Sequence, residues 1–285
     1  MLKLLLNVKL NHNYHLTDTS NKLLSVLMTV YNEVDYIDFA IRGCLPYVDH
    51  LVIVEGAYQE TISLGKSPRS NDGTLEIIQK YIDDPKVYFI EANEHSDKDQ
   101  RNIGLKKIKE LNPDGYVCII DGDEIYEPFR IELIKKYAIP GLVKANKKVK
   151  YFASMTFVND FKHFTWQQFP RLFKITPKCH FINDNQMSYE DGNENVIWCD
   201  RPISDISSDK IRYFHYSFCK GKERFETKRK WWMNRGYGTN FDYGWNIDGN
   251  HQISDPKNHK ILEYVGIHPE IMKHHSLYRL TYESV

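Results

Sequence analysis

A chain of 285 residues with 41% hydrophobic and 27% charged side chains has the make-up of a globular protein, long enough for one large α/β domain or two small ones. Its 38 Lys and Arg balance its 38 Asp and Glu, which excludes a global field for nucleic acid or an anionic membrane, so any anion must be recognised locally. The five cysteines (Cys44, Cys118, Cys179, Cys199, Cys219) are scattered and form no CxxC pair. That argues against a disulfide framework or a zinc site and predicts reduced thiols in a cytoplasmic setting.

The opening MLKLLLNVKL is interrupted by Lys3, Asn7 and Lys9, is too short for a membrane span and lacks a signal-cleavage pattern. It predicts an N-terminal extension, residues 1–22, that ends in a polar linker. Leu23 to Val30 is an apolar run read as a buried strand, followed by a helix with Tyr36, Phe39, Ala40 and Gly43 on one face and Pro46 at its close. Leu51 to Val54 is the next strand, ending at Glu55 and Gly56. Ala57 to Asn71 is polar and predicts a mobile loop. Asp72-Gly73-Thr74 opens a helix, Val87 to Ile90 forms a third strand, and Ser96 with Asp99 predicts a capping box for a helix through Leu111. Strands alternating with helices predict a parallel sheet of at least four strands.

The fourth strand, Tyr116 to Ile120, runs straight into Asp121, Gly122, Asp123 and Glu124. Open α/β sheets bind ligands at the carboxyl ends of their strands. On an extended backbone Asp121 and Asp123 share a side, and Gly122 lets phosphates or a metal approach the main chain. A hard divalent ion between these carboxylates and a diphosphate would relieve their repulsion. A plain Asp-Gly turn is the competing reading. An EF-hand is excluded, because its sixth position falls on Tyr126 where glycine is required.

Beyond Tyr126 the pattern predicts a short amphipathic helix (Pro128 to Tyr137), a basic turn region (Pro140 to Lys150) and strands at Tyr151 to Val158 and Arg171 to Ile175. Tyr213 to Phe218 alternates, with Tyr213, His215 and Ser217 on one face. KGKERFETKRKWW (Lys220 to Trp232) reads either as a solvated helix face or as a cationic clamp through Lys228, Arg229 or Lys230. A Gly- and Asn-rich loop (Gly236 to Asn250) and a helix-like piece around Pro269 to His275 follow, without internal repeats.

LSVLMTVYNEVDYIDFAI (Leu24 to Ile41), VIVEG with SNDGTLEII (Val52 to Gly56, Ser70 to Ile78), QRNIGL (Gln100 to Leu105) and DGDE (Asp121 to Glu124), in that order, resemble the family 2 type of GT-A glycosyltransferases. The resemblance implies a GT-A (Rossmann-like) α/β fold with a mostly parallel central sheet and helices on both faces. It also implies a nucleotide-sugar-binding half (23–126) and an acceptor-binding half (127–285) of one domain. It assigns Asp-x-Asp to Asp121 and Asp123, with Asp123 a direct ligand of Mn2+ or Mg2+, Asp121 nearer the ribose or the metal's water shell, and His215 a late ligand. Thr29, Tyr31, Glu33 and Glu55 would line the nucleoside pocket, Gly122 would lie against the donor, and Arg101 would face the diphosphate. FPRLFK (Phe169 to Lys174) is similar to the family's strand after the metal motif. The chain departs from the pattern at Glu55, which replaces the first acid of Asp-Asp-Gly-Ser-x-Asp-Gly-Thr, and in the residues inserted before Asp72-Gly73-Thr74, which puts base and donor selectivity in doubt.

The implied reaction is an inverting transfer from a UDP- or GDP-linked sugar to an acceptor hydroxyl on a glycan, glycoprotein or small molecule. Asp191 or Glu190 in MSYEDG would be the base, with an acidic surface loop as the plain alternative. His215 has its own plain alternative, a strand histidine satisfied by neighbours. Two rival functions are a sugar nucleotidyltransferase, which needs a glycine-rich phosphate loop absent after the first strand, and a non-catalytic nucleotide-sugar or glycan-binding module. The second would stack sugars on Trp166, Trp198, Trp231, Trp232 or Trp245.

Overall fold

A computed structural model describes residues 22–93, 95–189, 210–234 and 261–282. The expected N-terminal extension up to residue 21, Glu190, Asp191, Trp198, Cys199 and the segment Gly236 to Asn250 with Trp245 lie outside the described residues, as do the side chains of Arg229 and Trp232.

The strands are β1 (Leu24–Val30), β2 (His50–Glu55), β3 (Val87–Glu91), β4 (Tyr116–Ile119), β5 (Glu124–Ile125), β6 (Val149–Val158), β7 (His163–Lys174), β8 (His180–Phe181), β9 (Met187–Ser188), β10 (Arg212–Phe218) and β11 (Leu262–Glu263). Nine of them make one sheet in the order β3-β2-β1-β4-β7-β6-β10-β5, with β11 on β7, while β8 and β9 pair separately. β3, β2, β1 and β4 are parallel neighbours, and β7 runs against both β4 and β6. This is a Rossmann-type α/β arrangement in its parallel part, and the antiparallel β7 joins the later strands to the same sheet.

Period-two alternation explains how β1 serves two layers. Leu24, Val26, Met28 and Val30 pack with Tyr36, Ile37, Ala40 and Ile41, at and before helix α1 (Ile37–Cys44). Leu27 faces the other way, onto Val52, Val54, Leu105 and Ile108, beneath the helix over Asp97–Leu111. The sheet therefore carries helices on both faces. Helix α2 (Gln59–Ser63) and helix α3 (Thr74–Gln79) follow β2. The Asp97–Leu111 helix is α4, and its predicted cap is present: Ser96 Oγ accepts from the Asp99 N–H at 3.2 Å and donates to its carboxylate at 2.6 Å.

Three expectations change. Ala57 to Asn71 is not a free loop: it holds α2, and buried Glu55 pins it by accepting from the Ser70 N–H at 2.8 Å and Arg69 Nε at 2.6 Å. The helix from Pro128 does not end in a basic turn region. Helix α5 (Pro128–Leu133) passes through a π-turn (Ile134–Ala138) into helix α6 (Ile139–Ala145), with Pro140 at its start, where a missing N–H is harmless. Arg171 to Ile175 is only the end of the twelve-residue β7. Helix α7 (Lys222–Asn234) and helix α8 (Ser276–Tyr282) complete the set.

The later strands are tied to the first half by aromatic packing. Tyr36 stacks on Tyr216 at 5.2 Å, and Tyr216 on Phe157 at 5.3 Å. The Tyr36 hydroxyl donates to the Cys219 carbonyl, which fixes the turn that leads into α7. No described helix is long and apolar enough to cross a membrane.

Candidate active site

β1 pairs with β2 on one side and β4 on the other, and the connections that leave the carboxyl ends of β1 and β4 run in opposite directions. That is a topological switch point, where such sheets leave a crevice. Just past β1, Asn32 takes a left-handed conformation (φ 51°), and its side chain accepts from the Asn71 N–H at 3.0 Å. The turn aims Glu33 across Gly122: a Cβ there would lie 3.1 Å and 3.2 Å from Glu33 Cγ and Cβ. Gly122 thus makes room for a protein carboxylate, where the sequence led us to expect a ligand.

Past β4 the backbone does not stay extended. The Glu124 N–H donates to the Asp121 carbonyl at 3.0 Å, closing an Asp-Gly turn that sends Asp121 and Asp123 to different partners. Asp121 pairs with Arg101 Nη2 of α4 at 2.6 Å and Arg171 Nη2 of β7 at 3.3 Å. Arg171 also reaches Glu124 Oε1 at 2.5 Å and Asn185 Oδ1 at 2.7 Å.

Asp123, 3% exposed, sits among cations of the second half. Its Oδ2 meets Lys220 Nζ at 2.7 Å and Lys228 Nζ at 3.3 Å, while Oδ1 lies 3.4 Å from His215 Nε2. Lys220 also pairs with Glu33 Oε1 at 2.5 Å, and Lys228 donates to the Ser217 hydroxyl. Arg224 pairs with Asp35, donates to the Asn32 carbonyl and lies 3.5 Å from Glu33 Oε2. One turn beyond Lys228 on α7, Trp231 stacks on Tyr58 at 5.5 Å.

Burial pushes the Asp123 carboxyl up, but Lys220, Lys228 and His215 outweigh it and hold the group well below the usual carboxylate range. The same contest at Asp121 is won by Arg101 and Arg171, which lower it. At Glu33 burial wins over Lys220, and at Glu124 over Arg171, so both are raised. Burial lowers Lys228 despite Asp123, whereas Asp123 and Glu33 overcome burial at Lys220 and raise it.

The expected Mn2+ or Mg2+ ligands, Asp123, Asp121 and His215, do not assemble as a metal centre. Among the described residues no group of three or more His, Cys, Asp or Glu side chains converges to hold an ion. Both oxygens of Asp121 are bound by arginines, and Oδ2 of Asp123 already carries two ammoniums that would repel a divalent ion. His215 is near Asp123, but its Nδ1 lies 3.4 Å from Thr156 Oγ1, the position of a strand histidine satisfied by neighbours.

The remaining expected donor residues divide. Glu33 reaches the crevice. Arg101 supports Asp121 from α4. Thr29 is buried near the end of β1, and the Tyr31 hydroxyl donates to the Ser67 carbonyl at 2.7 Å. Glu55 is fully buried with both oxygens engaged by Arg69 and Ser70, so it holds the following loop and does not line a nucleoside pocket. Of the three cations considered for a clamp, Lys228 faces Asp123 and Lys230 is exposed. Lys220, Arg224 and Arg171 were not anticipated. Lys220, Arg224 and Lys228 stand four apart, a spacing that keeps them on one face of α7 and the turn before it, and this was the available signal.

No protein-family profile matches the sequence, and no curated protein matches it. Among solved structures, S. aureus TarS 1–349 in complex with UDP overlaps 47% of this chain and 36% of its own, at 19% identity and a TM-score of 0.33. Glucosyl-3-phosphoglycerate synthase from Mycobacterium tuberculosis, in complex with Mn2+, UDP and glucosyl-3-phosphoglycerate, overlaps 49% of this chain and 46% of its own, at 15% identity and a TM-score of 0.31. UDP-glucose pyrophosphorylase complexed with UDP-glucose overlaps 54% and 74%, at 8% identity and a TM-score of 0.27. The chain thus spans less than half the length of the first two, and overlap this partial leaves function to be argued from the side chains themselves.

Proposed function

We propose that the protein transfers a sugar from a nucleoside diphosphate sugar, UDP- or GDP-linked, to an acceptor hydroxyl of a glycan, glycoprotein or small molecule. The observation that carries this reading is the cluster at the β1/β4 switch point, where Lys220, Arg224 and Lys228 meet Glu33 and Asp123 with Arg101 and Arg171 alongside. Cations at a strand-end crevice suit a diphosphate, and carboxylates beside them suit the hydroxyls of a ribose or sugar. The reading is supported by the ion pairs in which four residues named by the family 2 resemblance take part: Glu33 and Asp123 with Lys220, and Asp121 with Arg101.

In the transfer, the acceptor oxygen attacks the anomeric carbon as the bond from that carbon to the diphosphate oxygen breaks. The bonding pair leaves on the phosphate, and the acceptor's proton passes to a carboxylate. The approach from the opposite face inverts the anomeric centre. Asp191, or Glu190 beside it, is the proposed base. Held ammonium groups meet the charge that develops on the leaving phosphate without reorganising, the kind of electrostatic stabilisation that contributes most to such steps. A cytoplasmic setting belongs to the same proposal, supported by four buried unbridged cysteines, Cys44, Cys118, Cys179 and Cys219.

The test is release of UDP or GDP from a panel of UDP- and GDP-linked sugars, with and without saccharide and lipid-linked acceptors. The expected result is acceptor-stimulated release from at least one donor, lost in Asp191→Asn or in Glu190→Gln. Nucleotide binding without release across the whole panel would replace transfer with a non-catalytic binding module.

A further inference from the structure

The ion pairs around Asp123 carry a more specific statement about this site. Two ammonium nitrogens, Lys220 Nζ and Lys228 Nζ, lie on the same oxygen, Oδ2, at 2.7 Å and 3.3 Å. Together they bring two positive charges to the atom at which a direct Asp-x-Asp ligand would grip a divalent cation. Lys220 is built into place: 3% exposed, it is shared with Glu33 and follows the turn fixed by Tyr36. Lys228 is a quarter exposed and stands at the middle of α7.

We propose that Lys220 and Lys228 stand in for the divalent cation, so that the protein binds its nucleoside diphosphate and supports departure of the leaving group without a metal. This inference rests on the nucleotide-sugar reading above. Three features argue for replacement over coexistence. Oδ2 of Asp123 and both oxygens of Asp121 already accept from lysine or arginine. Asp121, the first acid of the motif, is turned away to Arg101 and Arg171. The lysines also reach Asp123 from one short stretch of chain, Lys220 from the turn before α7 and Lys228 from the helix itself. In the transfer step, the electron pair left on the diphosphate oxygen is met by the Lys228 ammonium, with Lys220 fixing Asp123 beside it. No co-reactant beyond donor and acceptor is needed.

The experiment is calorimetric titration of the full chain with UDP, GDP and inorganic pyrophosphate, in metal-stripped buffer with EDTA and again with Mn2+ or Mg2+. The expected result is binding of at least one nucleotide whose affinity changes less than threefold between these buffers. Lys228→Gln should weaken it at least tenfold, with no recovery on adding Mn2+, while Lys228→Arg retains most of it. Circular dichroism of Lys228→Gln confirms that the fold is intact. Binding that appears only with Mn2+ or Mg2+, or tightens tenfold or more with either, overturns metal replacement and leaves the nucleotide-sugar reading standing. Equal binding by Lys228→Gln and the parent chain overturns it too. Failure of every nucleotide to bind in either buffer removes both proposals.

Discussion

Replacing Lys220 by methionine isolates the charge that the cluster depends on. Lys220 Nζ lies 2.7 Å from Asp123 Oδ2 and 2.5 Å from Glu33 Oε1, and all three side chains are mostly or wholly buried. At an effective dielectric of about 20, unit charges this close attract by roughly 6 kcal/mol, most of it offset by the cost of desolvating them. Methionine keeps the packing but strands two carboxylates, and breaking a buried pair in this way costs about 3–5 kcal/mol. For a domain of this size that is a fall in Tm of roughly 6–20 °C. Asp123→Asn removes one stranded charge, so in the Lys220→Met background it should return about 1–3 kcal/mol, although alone it destabilises. Urea unfolding of the parent, both single variants and the double variant, with equal m-values, measures that coupling. Single effects that add to within about 0.5 kcal/mol would refute the claim that these residues form one electrostatic unit.

Gly104 lets α4 lie close on the sheet: a Cβ would come 2.2 Å from Leu27 Cδ1 and 2.8 Å from Val54 Cγ2. Gly104→Ala should therefore destabilise by about 1–3 kcal/mol in the same unfolding assay, despite alanine's better helix propensity, and equal or greater stability would contradict that packing. Burial lowers Lys228 below the ordinary lysine value, and only its ammonium form attracts a diphosphate. UDP or GDP affinity should thus be present at neutral pH and fall as pH rises through that depressed value. Lys228→Arg should remove the alkaline limb because arginine stays protonated, and a limb that persists in this variant assigns the titration elsewhere.

The first half of the fold was legible because β1, β2 and β4 are buried on both faces and α4 carries a clear start signal. The continuous apolar runs at Leu24 to Val30 and Leu51 to Val54, and the Ser96 cap, are local features, and local chemistry decides them. The Asp121 turn was less legible, since the same four residues suit an extended backbone or a tight turn. The choice is made by Arg101 and Arg171, which draw Asp121 aside, and by Glu124, which leaves the turn to pair with β10. Glu55 looked like a ligand residue by its place at a strand end. Its role depends on Arg69 and Ser70, folded back from a segment whose polarity suggested mobility. The lysine cluster was hidden for another reason. A basic helix read alone is a solvated helix, and only its ion pairs with Glu33, Asp35 and Asp123, far off in the chain, turn Lys220, Arg224 and Lys228 inward.

The crevice is assembled from distant parts of the chain. Lys220 is 187 positions from Glu33, and Lys228 is 105 from Asp123. A nascent polypeptide synthesised only through Tyr126 therefore carries the acids of the pocket before their counter-charges exist, and α7 can neutralise them only by closing a long loop. Contacts of such separation form slowly, which makes docking of this helix a late event in folding. On the proposed function, competence to hold a nucleotide would then appear only once this helix has docked.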